Sequence, residues 1–301
     1  MCRILRIFPL LFALVVPANS LADRGLPASL IRLPESVTTV FIAETSTAEF
    51  HRFLRSDNDI TYSESTYMSI GEEGPGKQRS GDKRTPLGVY FITEQLDTSK
   101  LHEKYGATAF PLDYPNAWDQ HANRDGDGIW VHGMYAGGGQ RPERDTDGCI
   151  ALPNKDLLML ASDFKDNVTP VLVTRKVDWG KAPENDSLRS ELENRIAEWV
   201  DSKANGDLFT YLSLYSEDFG RWEMDKAEWS SFKLQTVAQR EISQATISEL
   251  LLLGYPDEAE LYLSRFRLTV VEGSRATVST TRLYWRREAG GALKIIAEDD
   301  G

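Results

Sequence analysis

In the first half of the chain the apolar positions come in short runs rather than in helical periods. Residues 37–43 form a β-branched, aromatic-containing run that predicts a strand, and 60–70, with its Thr, Tyr and Ser, predicts another. Residues 88–92 and 129–133 predict two more, with Pro86 ahead of the first, where a missing N–H is tolerated. Residues 49–55 fit either a strand or a helical turn, and 23–35 reads as a loop. A short helix is predicted over 152–163, with Leu157, Leu158, Leu160 and Ala161 as its apolar face and Asn154 as its cap. A β-branched strand over 168–173, around Pro170, closes this part.

After residues 176–187, which hold Gly180, Pro183, Asn185 and Asp186, the period changes. Leu188, Leu192, Ile196 and Trp199 or Val200 recur every three to four positions and predict an amphipathic helix over 187–203. A second helical stretch from Asp207 carries Leu208, Tyr211, Leu212 and Tyr215 on one face. Beyond Ile242 strands are predicted at 249–253, 260–271, 275–285 and 293–296, with turns at Gly254, Gly273 and Gly290-Gly291. Helices followed by an antiparallel sheet indicate an α+β fold. The aromatics Trp199, Tyr211, Tyr215 and Phe219 read as core rather than cofactor contacts, since amphipathic spacing requires only burial.

A length of 301 residues suggests about two domains, and 41% hydrophobic content can fill two cores. Residues 1–22 have the form of an export signal: Arg3 and Arg6, an apolar stretch over 7–16, then Ser20-Leu21-Ala22 as a cleavage site. The apolar stretch falls short of the roughly 20 residues that span a bilayer. Removal of that segment takes away Arg3 and Arg6, leaving 32 basic against 46 acidic residues, a net charge of −14. Such a surface disfavours nucleic acid and anionic membrane, and suits either simple solubility or a substrate carrying free amines. The expectation is a periplasmic protein, exported by its signal and free of the membrane after cleavage.

Export also leaves Cys149 as the one cysteine of the mature chain, since Cys2 lies in the signal. A lone thiol in an oxidising compartment is either a buried inert residue or a reactive group. Thr146, Asp147 and Gly148 form a turn before it, and His132 closes a predicted strand 17 residues upstream. His132 could serve as the base that activates the thiol, and the backbone N–H groups of Gly148 and Cys149 could receive an oxyanion. The Gly133 carbonyl is one candidate to orient the imidazole. A structural cysteine beside an unrelated histidine remains open on these residues alone.

Other motifs weigh less. Gly74-Pro75-Gly76-Lys77 lacks the spacing of a P-loop and reads as a hairpin-like connection. Asn123-Arg124-Asp125-Gly126-Asp127-Gly128 begins like a calcium loop, but Met134 stands where a closing Glu is needed, so it reads as a tight acidic turn. His51, His102 and His121 lack metal-ligand spacing and read as surface or packing residues. No metal and no cofactor is expected.

Four ordered blocks, Gly81-Asp82-Lys83-Arg84-Thr85-Pro86-Leu87-Gly88-Val89-Tyr90, Tyr114-Pro115-Asn116, Ile129-Trp130-Val131-His132-Gly133 and Thr146-Asp147-Gly148-Cys149-Ile150, resemble the L,D-transpeptidase catalytic (YkuD) domain. The resemblance implies a mostly-β catalytic domain over 37–175, with Cys149 as nucleophile and His132 as general base and acid. It implies Gly148 and Thr146 in the signature loop, and a substrate groove near Arg84, a candidate carboxylate contact or a structural salt bridge. Gly133 and Asp147 join these as candidate substrate or oxyanion positions. Many transpeptidases of the family have His before the signature Gly and Arg or Asn two residues after the Cys, whereas this chain has Asp147 and Ala151. Those differences lean toward the branch of L,D-carboxypeptidases and crosslink-cutting enzymes, and the acyl acceptor stays open.

Following a linker over 176–186, the order of elements over 187–301 resembles an NTF2-like (SnoaL-like) domain, as in peptidoglycan L,D-carboxypeptidases. The likeness implies peptidoglycan stem peptides as substrate, and a C-terminal domain that binds substrate or a protein partner or mediates a homodimer. The rival expectation is a non-catalytic cell-wall binding protein acting through that second domain.

Overall fold

The β-branched run near residue 40 becomes the central strand Thr39–Glu44, all six of whose residues are buried. The structure, a computed structural model, describes residues 25–56, 59–137, 139–180, 182–237 and 242–301. The export signal expected over 1–22 lies outside them. Thr39–Glu44 sits in a five-stranded sheet in the order Asp59–Tyr67, Glu49–Ser56, Thr39–Glu44, Pro170–Thr174, Gly88–Phe91. The ambiguity over 49–55 resolves as a strand, paired antiparallel with Thr39–Glu44 in the register Ile42 to His51.

Facing it is a three-stranded sheet, Ile150–Leu152, Trp130–Gly133 and Ala109–Pro111. One core lies between the sheets, where Phe164 stacks on Phe41 and Phe110 with ring centroids 4.5 and 4.4 Å apart. Val131, Ile150 and Leu152 close it from the smaller sheet. Each such buried side chain contributes roughly 1.5–3 kcal/mol, so this core fixes the small sheet that carries His132.

The helix predicted over 152–163 is Asn154–Leu160, followed by a 3₁₀ turn at Ala161–Asp163. Asn154 does not cap it. Pro153 holds the cap position, and the Asn154 side chain instead accepts from the Ala107 N–H at 3.0 Å and donates to the Met134 carbonyl at 2.7 Å.

The second half is α+β: helices Ala182–Ala204, Leu208–Ser213 and Lys226–Val237 pack on a seven-stranded sheet. Its order is Leu30–Arg32, Gln244–Gly254, Leu261–Glu272, Arg275–Arg287, Leu293–Asp299, Tyr215–Arg221, Met224–Asp225. Trp199, Tyr211, Tyr215 and Phe219 are core, each at most 2% exposed. Two local expectations are corrected, and one helix is added that the sequence pattern did not predict. Residues 23–35 include the strand Leu30–Arg32, which crosses to pair antiparallel with Gln244–Gly254. Tyr215 opens a strand instead of extending a helix, because its backbone pairs with Ile295 and its hydroxyl donates to buried Glu298. Lys226–Val237 is helical although its surface is polar enough to hide the period, with Trp229 as its fully buried anchor.

The two halves share a third apolar cluster that includes Val89, Phe91 and Trp118 from one and Leu251, Leu253, Tyr284 and Ile296 from the other. Across the same seam Arg282, itself paired with Asp299 on the neighbouring strand, reaches Asp113, Arg124 reaches Glu258 at 2.7 Å, and Asn116 donates to the Tyr255 hydroxyl at 2.9 Å. Among the described residues no helix is long and apolar enough to cross a membrane.

Candidate active site

Cys149 and His132 are brought together by strand register. Ile150–Leu152 runs parallel to Trp130–Gly133, with Ile150 opposite Val131 and Ala151 opposite His132. One step back, Cys149 lies beside Trp130, whose backbone hydrogen-bonds the sulfur. Side chains alternate along a strand, so Cys149 and His132 share the face turned away from Val131 and Ile150. They are diagonal neighbours, with about 8 Å between Cα atoms from strand spacing and rise.

His132 is buried, at 3% exposed, and its Nδ1 lies 2.6 Å from the Gly133 carbonyl. A carbonyl only accepts, so Nδ1 carries the proton and Nε2 keeps a lone pair. The Tyr105 ring stands edge-on to the imidazole at 5.2 Å between centroids and packs on Trp130 at 4.7 Å. Burial pushes the His132 pKa down to about 4 against the Gly133 hydrogen bond, and the charges of Arg141 and Lys104 add to the depression. Gly133 allows this geometry because a Cβ there would lie 2.1 Å from the Asn154 side-chain oxygen.

The Cys149 thiol is half-buried and donates to the Gly128 carbonyl at 3.3 Å. Burial pushes its pKa above the ordinary value, while the Trp130 backbone bond and the Lys104 and Lys77 ammonium groups pull the other way. The resting pair is therefore neutral thiol and neutral imidazole. No helix N-terminus adds to thiolate stability, because a strand directly follows the cysteine and Asn154–Leu160 begins beyond it.

The loop that presents the thiol is tied from several sides. The Thr146 hydroxyl accepts from the Gly148 N–H at 3.1 Å and donates to the Cys149 carbonyl at 2.7 Å. The Gly148 amide is thus engaged, and of the two amides expected to receive an oxyanion the Cys149 N–H is the one left to consider. Gly148 has φ 130°, and a Cβ there would meet the Arg84 carbonyl at 2.8 Å. Thr85, fully buried, donates to the Gly148 carbonyl and accepts from the Gly71 N–H, each at 2.9 Å. Asp147 is exposed at the mouth and pairs with Lys104 at 3.2 Å.

Beside this loop, residues 71–84 are organised by Asp82 and are not a simple hairpin. Asp82 accepts from Lys77 Nζ at 2.9 Å and from the Gln78, Arg79 and Arg84 amides at 2.7, 3.1 and 3.1 Å. Burial alone would raise this carboxyl, but those bonds hold it down at about 2. Lys77 is buried in this arrangement and unavailable to a phosphate. Arg84 donates to the Pro75 carbonyl at 3.2 Å and pairs with no carboxylate among the described residues.

Sequence reasoning did not single out Thr85, Lys104, Tyr105 or the Gly128 carbonyl. Thr85 lies inside the block 81–90, but its neighbours there give it no hydrogen-bonding signature. His51 is a packing residue, fully buried, with Nε2 3.1 Å from Glu44. With Glu49 these form the metal-capable cluster found among the described residues, on the hairpin of the five-stranded sheet. The His51 Nδ1 is buried without a partner, unlike a ligating histidine, whose second nitrogen is held by an acceptor.

Residues 41–173 match the L,D-transpeptidase catalytic (YkuD) domain, and 191–299 match the Cds6 C-terminal NTF2-like domain. Solved structures similar across nearly the whole chain include the following two. The helical cell shape determining protein Pgp2 from Campylobacter jejuni is 26% identical, with a TM-score of 0.77 over 93% of this chain and 97% of that one. Bd1075 from Bdellovibrio bacteriovorus is 25% identical, with a TM-score of 0.73 over 91% and 97%. No curated protein matches the sequence.

Proposed function

We propose that this chain, an L,D-transpeptidase catalytic (YkuD) domain joined to a C-terminal NTF2-like domain, is an exported cysteine acyl-transfer enzyme acting on peptidoglycan stem peptides. The observation that carries the reading is the parallel pairing of Ile150–Leu152 with Trp130–Gly133, which sets a thiol and an imidazole on one face. Similarity to Pgp2, a protein that determines helical cell shape, supports a role in cell-wall remodelling.

In this reading the thiol leaves its bond to the Gly128 carbonyl and gives its proton to His132 Nε2 as sulfur attacks the carbonyl of the third stem residue. The Gly133 carbonyl holds the Nδ1 proton and steadies the imidazolium that forms. The Cys149 amide faces the oxyanion. The imidazolium then protonates the departing amine, leaving a thioester on Cys149. Water or a second amine resolves it, giving L,D-carboxypeptidase or endopeptidase trimming in one case and L,D-transpeptidation in the other. Arg84, without a carboxylate partner among the described residues, would hold a substrate carboxylate, and Thr146, Gly148 and Asp147 shape the loop. Residues 1–22 act as the signal, 37–175 as the catalytic domain and 176–186 as the linker to 187–301.

The test is incubation of the purified protein with disaccharide tetrapeptides and crosslinked dimers, with products read by mass spectrometry. Tripeptide alone indicates hydrolysis, and new dimers indicate transfer. An unchanged mixture would contradict the enzyme reading and favour a binding protein.

A further inference from the structure

Gly88–Phe91 is the outer strand of the five-stranded sheet, and three residues ahead of it Thr85 holds the Gly148 carbonyl. An outer strand leaves backbone groups to be paired from elsewhere. Here residues 113–116 pair them. Asn116 donates to the Val89 carbonyl at 3.0 Å, and Asp113 accepts from the Phe91 N–H at 2.7 Å while its own N–H donates to the Phe91 carbonyl at 3.1 Å. The second domain braces both side chains. Arg282 pairs with Asp113 at the Phe91 end, and the Tyr255 hydroxyl accepts from Asn116 at 2.9 Å at the end nearer Thr85.

Tyr255 opens the turn between Gln244–Gly254 and Leu261–Glu272, and it is 4% exposed. Its hydroxyl lies 2.6 Å from where a Cβ on Gly88 would stand, with the Tyr90 hydroxyl 2.8 Å from the same point. Two hydroxyls thus fill the space a side chain would take at residue 88, and Tyr90 also donates to the Leu87 carbonyl at 3.1 Å. The rest of the turn docks on the same domain. Asp257 accepts from the Thr174 hydroxyl at 3.0 Å and the Arg175 N–H at 2.8 Å, and Glu258 binds Arg124 at 2.7 Å. These anchors fix the turn, and with it the place of the Tyr255 hydroxyl.

Residues 85–92 are buried without a break. A close-packed segment transmits a displacement instead of absorbing it, so a shift at Gly88 and Val89 reaches Thr85. The Gly148 carbonyl that Thr85 holds and the Cys149 N–H belong to one planar peptide group. Fixing the carbonyl therefore fixes the direction of the N–H.

We infer that Tyr255 is a positioning residue supplied by the second domain: by holding Gly88 and Val89 it sets Thr85, and through Thr85 the direction of the Cys149 N–H. The inference deepens the acyl-transfer function proposed above and rests on it for the oxyanion that this N–H faces. The catalytic centre is then incomplete without the NTF2-like domain.

The test compares full-length Tyr255→Phe, which removes the hydroxyl and keeps the ring, with Leu268→Ala, a substitution in the second domain's own core. With disaccharide tetrapeptide as substrate, Tyr255→Phe should lower kcat about tenfold and leave KM within about twofold, as expected when an oxyanion donor is misaligned. Leu268→Ala should lower the urea midpoint at least as far and leave kcat near wild type. Combining Tyr255→Phe with Thr85→Val should lose little more kcat than Thr85→Val alone, because both act on one peptide group. In amide NMR spectra of the free protein, the Cys149 signal should move in Tyr255→Phe and stay in place in Leu268→Ala. A wild-type kcat in Tyr255→Phe, an equal loss in Leu268→Ala, or fully multiplicative losses in the double variant overturns the inference. If the wild-type protein processes no peptide, the proposed function fails by itself, and the Cys149 amide still decides: a signal unmoved in Tyr255→Phe overturns the positioning role.

Discussion

Among the described residues no carboxylate orients His132, and its base strength is set by enclosure: the Gly133 carbonyl accepts the Nδ1–H hydrogen bond while burial and two cations oppose a second proton. A base must be unprotonated to accept the thiol proton, and a depressed pKa keeps it so to lower pH. The acid limb of kcat/KM, which reports the free enzyme, should therefore fall near pH 4 and stay flat through 6.5. An NMR titration should find the His132 ring neutral at pH 5.5, and a midpoint near the ordinary histidine value would contradict this geometry. Cys149→Ala should abolish turnover and His132→Ala should lower it by at least about a thousandfold, as expected where nucleophile and base act as a unit. The Cys/His pair and the Gly133 carbonyl were legible because residue type and strand alternation constrain them. The neutrality of the pair was not, since it depends on burial by Tyr105 and on charges from loops distant in sequence.

At the level of elements, the signature loop depends on a hydroxyl from another block of the chain. Thr85→Val keeps the shape but leaves the Gly148 carbonyl and the Gly71 N–H without partners, at a cost of about 1–3 kcal/mol for each. Urea denaturation should register that loss. Cys149 would also be displaced, lowering kcat on the order of ten- to a hundredfold with a smaller change in KM. A variant with wild-type stability and kcat would show that the loop holds itself. Strands such as Thr39–Glu44, Gly88–Phe91 and Pro170–Thr174 were readable from β-branched runs and turns, because every residue in them is buried, whereas Ala109–Pro111, Ile150–Leu152 and Tyr215–Arg221 were not. Helix Lys226–Val237 was not readable: Trp229 is the one fully buried side chain among its described residues, too few to show a period. Asn154 was misassigned for a related reason, since a good capping residue is equally good at tying a loop.

For the whole molecule, the strand Leu30–Arg32 matters beyond its length. It precedes the catalytic domain in sequence yet forms the edge of the second domain's sheet, so the chain enters and leaves the catalytic domain through the same unit. With the apolar cluster shared across the seam, this predicts one cooperative unfolding transition. Ile31→Asp, which places a charge at an 8% exposed position, should lower stability by at least about 2 kcal/mol, seen as a lower urea midpoint for the entire protein. Two separated transitions would contradict the shared core. No local pattern announced this strand, because a three-residue run reads as loop until its partner, more than 200 positions away, is known. What the assembled molecule is held to do comes down to one covalent bond. Intact-mass spectrometry of full-length protein, acid-quenched during turnover of a disaccharide tetrapeptide at pH 7, should find a population heavier by the disaccharide-tripeptide acyl group, mapped by peptide analysis to Cys149 and absent from Cys149→Ala. Product formation with no adduct on Cys149 across the time course, together with a Cys149→Ala variant that still turns over, would contradict the account.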